Sequence, residues 1–133
     1  MKSILGAILL LTSISSHANI IKNGDVLIDY TCKTTAPPVL KFNLKLVATA
    51  DSQNLENTEM PATLTVKRVI PLGSEVLVIP KVFVGHYKYE DVESNFESTD
   101  GNASLTIFAD ELDQTTLTTF SGGKAIETHF DCN

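Results

Sequence analysis

Apolar and polar residues alternate along most of this chain with a period of two, the signature of strands buried on one face. Val26, Ile28, Tyr30 and Cys32 alternate with Leu27, Asp29 and Thr31. Leu40, Phe42, Leu44 and Leu46 alternate with Lys41, Asn43 and Lys45, and Ala62, Leu64 and Val66 with Thr63, Thr65 and Lys67. The pattern slips at Arg68, which reads as a bulge or a strand end. Val76 to Tyr89 is the most apolar run after the first 18 residues; it is too β-branched for a helix and carries Pro80 and Gly85. It reads as one long strand, kinked at Pro80, at a sheet edge or switching sheets there. Leu105, Ile107 and Ala109 mark another strand, Thr115 to Phe120 a further one, and Ile126, Thr128, Phe130 and Cys132 the last.

Breaks fall between these runs. Pro37-Pro38 interrupts the chain, and TADSQNLENTEMP and EDVESNFESTDGN read as polar loops. Pro71-Leu72-Gly73-Ser74 suits a β-turn, and Gly122-Gly123 a hairpin turn. The pattern predicts an all-β, single-domain antiparallel β-sandwich of about seven strands, with a small closed β-barrel as the alternative. Strand count bears on the chain ends. An up-and-down chain of odd count runs its first and last strands parallel, and one of even count antiparallel. The seven-strand reading therefore expects them parallel.

The start of the chain changes the domain limits. Lys2, an apolar stretch from Ile4 to Ile14, and Ser16-His17-Ala18 match a cleaved secretory signal over residues 1–18, with the β domain over 19–133. Secretion or a periplasmic location is expected, with no membrane span once the signal is removed. The 133-residue chain has 10 basic and 16 acidic side chains and a net charge of −6; loss of Lys2 with the leader makes this one unit more negative. Such a surface repels phosphate backbones and anionic headgroups, so nucleic acid is not an expected partner.

Cys32 and Cys132 stand 100 residues apart, a spacing foreign to metal or redox motifs. In an oxidising compartment the pair is expected to form a disulfide. Closing so long a loop stabilises by about 4–5 kcal/mol in the chain-entropy description. The next-to-last residue, in the segment most prone to fray, would thereby be pinned to the first strand.

The chemistry-bearing motifs are few. His86 and His129 have no zinc-ligand spacing, and the sequence contains no GxSxG, GxGxxG or P-loop. No cofactor or catalytic set is expected. Asp91, Glu93, Asn95, Glu97 and Asp100 supply hard oxygens at short spacing and form a candidate calcium set. They do not fit an EF-hand, because Phe96 stands where the turn needs Gly and Asn102 where the bidentate Glu belongs. The stretch His86-Tyr87-Lys88-Tyr89 has the most interface-like composition. With Glu90 and Asp91 it makes a candidate binding surface of His86, Tyr87, Tyr89, Glu90 and Asp91, extended by the acidic loop to Asn102.

Tyr30-Thr31-Cys32 near the start and a cysteine at the end are similar to small exported bacterial lysozyme inhibitors. Their Ser-Gly-x-x-Tyr signature is departed from here, since Ser121-Gly122-Gly123-Lys124-Ala125 lacks the tyrosine. The residues as a whole point to an exported, non-catalytic binding module for a protein or small-molecule ligand. An inhibitor of a secreted hydrolase, lysozyme- or protease-inhibitor-like, and an enzyme with an unrecognised site are the alternatives.

Overall fold

The computed structural model describes residues 21–52, 59–90 and 92–133. The expected leader over residues 1–18 lies outside the described residues. Eight strands are described: β1 (Val26–Thr34), β2 (Lys41–Ala48), β3 (Glu59–Leu72), β4 (Glu75–Glu90), β5 (Glu93–Ser98), β6 (Ala103–Phe108), β7 (Thr115–Ser121) and β8 (Lys124–Cys132). Each pairs antiparallel with its neighbour in sequence, and β8 returns to β1, closing the sheet into a barrel. The architecture is thus the closed barrel named as the alternative, not the sandwich.

The eighth strand is β5, in the stretch read as an acidic loop. Its inward positions are Ser94, Phe96 and Ser98, all buried, alternating with Glu93, Asn95 and Glu97. Two serines at inward positions hide the alternation from a hydrophobicity reading. The hydroxyls are satisfied: Tyr87 Oη donates to Ser94 Oγ at 2.9 Å, and Ser98 Oγ donates to Asp100 Oδ1 at 2.8 Å while accepting from Ala103 N at 2.9 Å. An even strand count makes the first and last strands antiparallel, correcting the parallel expectation.

The disulfide links Cys32 of β1 to Cys132 of β8, which face each other directly with Cα atoms 4.1 Å apart. Thr31 and Asn133 exchange two backbone hydrogen bonds of 3.0 Å, so the cysteines occupy the adjacent non-hydrogen-bonded position, where side chains on one face come closest. Both cysteines lie near the C-terminal ends of their strands. Antiparallel strands meeting at their C-terminal ends overlap only briefly, and the β1–β8 register covers just Cys32–Thr34 against Phe130–Cys132. The bridge therefore sits on the shortest seam of the barrel.

Side chains fill the interior. Leu44, Leu46, Ala62, Leu64 and Phe130 are completely buried, and Phe96, Leu105, Ile107 and Met60 nearly so. An eight-stranded barrel has an interior just wide enough for such a packed core. Gly85 is required where the β5 backbone comes close to β4: a Cβ there would strike the carbonyl oxygen of Glu97 and lie 2.7 Å from Ser98 Cα. Below the core, the short 3-10 helix Leu112–Gln114 precedes β7, and buried Thr115 donates from Oγ1 to Leu112 O at 2.8 Å.

Arg68 does not interrupt β3, which keeps a regular register with β4 from Glu59 opposite Lys88 to Leu72 opposite Glu75. The pattern slips because the β3–β4 hairpin outgrows the barrel. β5 pairs with β4 only from Gly85 to Glu90, leaving the outer edge of β4 above Gly85, from Val76 to Val84, without a strand partner. Val84 O accepts from Thr99 N, so the even-numbered residues of β4 direct their backbone groups toward that edge. Pro80 lies in this series and removes one donor from it, a device that blunts edge-to-edge association. The edge assignment holds for this upper half, whereas the lower half is flanked on both sides. The β7–β8 hairpin also projects, turning at Gly122 and Gly123 with φ of 58° and 78°, as the expected hairpin turn needs.

Candidate functional site

The described residues among those expected to form a binding surface do not all lie on the surface. Tyr87 points into the barrel at 6% exposure, and burial raises its hydroxyl pKa above the ordinary tyrosine value. It is a core residue, placed there by its phase with Phe83 and Gly85. Tyr89 is half-buried and packs against the core. His86 and Glu90 are exposed, and Lys88 forms a 3.5 Å ion pair with Glu90. Asp91 lies outside the described residues.

The candidate calcium set is drawn out rather than gathered. Glu93, Asn95 and Glu97 follow one another along a strand, at about 6.5–7 Å per two residues. Asn95 Nδ2 donates to Glu93 Oε2 and Asn95 Oδ1 accepts from Thr106 Oγ1, each at 3.0 Å. Asp100 caps its own turn, accepting from Ser98 Oγ and from Asn102 N; these bonds hold its carboxyl below the ordinary aspartate pKa. Among the described residues no three His, Cys, Asp or Glu side chains come close enough to hold a metal ion.

Both histidines lie on the outer wall. His86 shares a polar depression of about 410 Å³ with Glu59, Lys88, Asn95, Glu97 and Ser98. No hydrogen bond or ion pair joins His86 to either carboxylate among the described residues. His129 is better connected: Nε2 lies 3.2 Å from Glu127 Oε1, and Nδ1 lies 3.3 Å from Thr116 Oγ1. A hydroxyl, an imidazole and a carboxylate in a row resemble the order of a nucleophilic site. The His129 and Glu127 side chains are 56% and 61% exposed, however, on a paired sheet face.

The other concavity has a different chemistry. Where the two long hairpins rise above the barrel, inward-phase residues line a cup of about 290 Å³ that opens to solvent. Phe42 and Phe130 meet edge to face in it, centroids 5.1 Å apart and rings inclined at 68°. Val66 and Phe83 continue one wall and Leu117 the other. Beside these apolar residues stand Arg68, opposite Phe42, and Lys81, opposite Val66, with Ile79 on the β3–β4 side and Thr119 and Thr128 on the β7–β8 side. β5 and β6 stop at the level of Gly85 and Thr119, lower than the hairpin tips, which leaves the cup open on that flank.

The sequence reading missed this site because its residues continue the alternation of the core strands. Phe42, Val66 and Phe130 read as ordinary inward positions. The available signal was the pair Arg68 and Lys81, two cations in inward phase on adjoining strands. Charged residues are rarely placed in that phase unless the wall ends there.

No protein-family model matches the chain, and no curated protein or solved structure matches it either.

Proposed function

We propose that this domain is an exported, non-catalytic binding module and that it binds its ligand in the cup between the two hairpins. One observation carries the reading: an apolar, solvent-open concavity stands directly on a fully packed core. Ligand sites are concave and mostly apolar, with a few polar groups to orient the guest, and the cup is at the small end of their usual size. The disulfide is in keeping with an oxidising compartment, as export requires. Uncharged Nile red is the direct probe. The domain should enhance its fluorescence saturably, and Thr128→Trp, which fills the cup from β8, should abolish the effect while melting at a similar temperature. Equal binding by a folded Thr128→Trp protein would contradict the reading.

The projecting hairpin favours one second reading, that of a hydrolase inhibitor inserting its tip into an enzyme cleft. Leu72 and Val76, at 55% and 60% exposure, flank that tip. Stoichiometric inhibition of a secreted hydrolase, lost in Leu72→Asp, would establish it; unchanged inhibition by the variant would dismiss it.

A further inference from the structure

We infer that the ligand of this cup is a free single-chain anionic amphiphile: an apolar tail of modest length ending in a carboxylate or a similar acidic head. The inference rests on the cup being the binding site, and it adds the chemical class. Its floor and walls, Phe42, Val66, Phe83, Leu117 and Phe130, offer no charge and suit a hydrocarbon body. Its lining also holds two cations, Arg68 opposite Phe42 and Lys81 opposite Val66. Val66 pairs with Lys81, and Arg68 with Ile79, so Arg68 and Lys81 are diagonal neighbours on the same face of the hairpin. Neither has an ion-pair partner among the described residues. Two adjacent unpaired cations repel each other, and an acidic head between them relieves that repulsion while gaining charge-assisted hydrogen bonds.

The charge of the whole barrel points the same way. The net-acidic chain concentrates its carboxylates away from the cup: Asp51, Glu59, Glu90, Glu93, Asp110 and Asp113 lie on the end opposite the hairpins. Lys41, Lys67 and Lys124 join Arg68 and Lys81 at the hairpin end. The carboxylates at that end are Glu75 beside its turn, Glu97 and Asp100 at the β5–β6 turn, and Glu127 and Asp131 in outward phase, where Glu127 meets His129. A molecule so polarised steers an anion toward the cup and a cation toward the other end.

The test is calorimetric titration of the domain with decanoate, decanol and decylammonium, each below its micellar concentration. Decanoate should bind at least about tenfold more tightly than decylammonium, with decanol between them. In Arg68→Gln plus Lys81→Gln, decanoate should weaken by about tenfold or more while decanol is unchanged. Equal affinity for all three compounds would overturn the anionic preference and leave the cup standing as an apolar site. Binding of none of them would overturn the cup itself. Phosphatidylglycerol vesicles form a further arm, read by co-sedimentation. Capture of vesicles without binding of monomeric decanoate would overturn the inference in favour of contact with a lipid surface. Decanoate binding without vesicle capture is the result expected.

Discussion

Leu64 and Leu77 both occupy inward positions of the β3–β4 hairpin, yet Leu64 is wholly buried and Leu77 is 44% exposed. The two leucines obey the same alternation. They differ in what lies across from them. At the level of Leu64, neighbouring strands flank the hairpin and the barrel closes around it. At the level of Leu77, opposite Ile70, the hairpin has outrun β5 and β6 and faces the open mouth. One pair of strands thus serves as barrel wall below and as the side of the cup above. Period-two alternation records which way a side chain points, and only the tertiary fold determines whether anything is there to cover it.

That contrast can be broken most forcefully at the seam that lets the lower half close. Cys32→Ala with Cys132→Ala should lower stability by about 4–5 kcal/mol, near the entropic value of so long a loop. Chemical denaturation measures it, and a loss under about 1 kcal/mol would mean that the brief β1–β8 pairing holds the barrel unaided. Leu64→Ala should cost about 2–5 kcal/mol, as a large-to-small change in a packed interior does. A cost near zero would place Leu64 in the same class as Leu77.

Tyr87→Phe sharpens the boundary between the halves. Removing the buried hydroxyl bonded to Ser94 should cost about 1 kcal/mol. It should also alter the alkaline limb of stability. The folded-state pKa of Tyr87 is raised above the ordinary value of 10.0, chiefly by desolvation, so its contribution is fully present below that value and is lost as pH rises through the raised one. Thermal melts above about pH 10 should therefore fall less steeply in Tyr87→Phe than in wild type. Parallel slopes would show that the hydroxyl is not buried in solution. Leu77→Ala, the smallest effect, should change stability by less than about 0.5 kcal/mol, as expected of an exposed position. A loss comparable to that of Leu64→Ala would mean that the upper hairpin is covered.

Much of the barrel was legible in the sequence. The alternations ending in Cys32 and Cys132 carried both the strands and the inward phase that lets the cysteines meet. Gly122-Gly123 carried its turn. The illegible parts have physical causes. Ser94 and Ser98 bury hydroxyls through partners from other strands, so β5 looked like a solvated loop, and missing it turned an even count into an odd one. Tyr87 has the composition of an interface residue, and only its phase with Gly85 and Phe83 assigns it to the core. The cup is formed from strands distant in sequence, Phe42 beside Phe130 and Arg68 near Lys81, and no local pattern states that their walls rise to different heights.

Entry of ligand between the hairpins is tested residue by residue by backbone amide chemical shifts during a decanoate titration. The largest shifts should fall on Phe42, Val66, Phe83, Leu117 and Phe130, with the outer-wall positions His86, Asn95 and Glu97 unmoved. Shifts centred on His86 and Glu97, with the cup residues silent, would instead place the binding site on the outer face of the barrel.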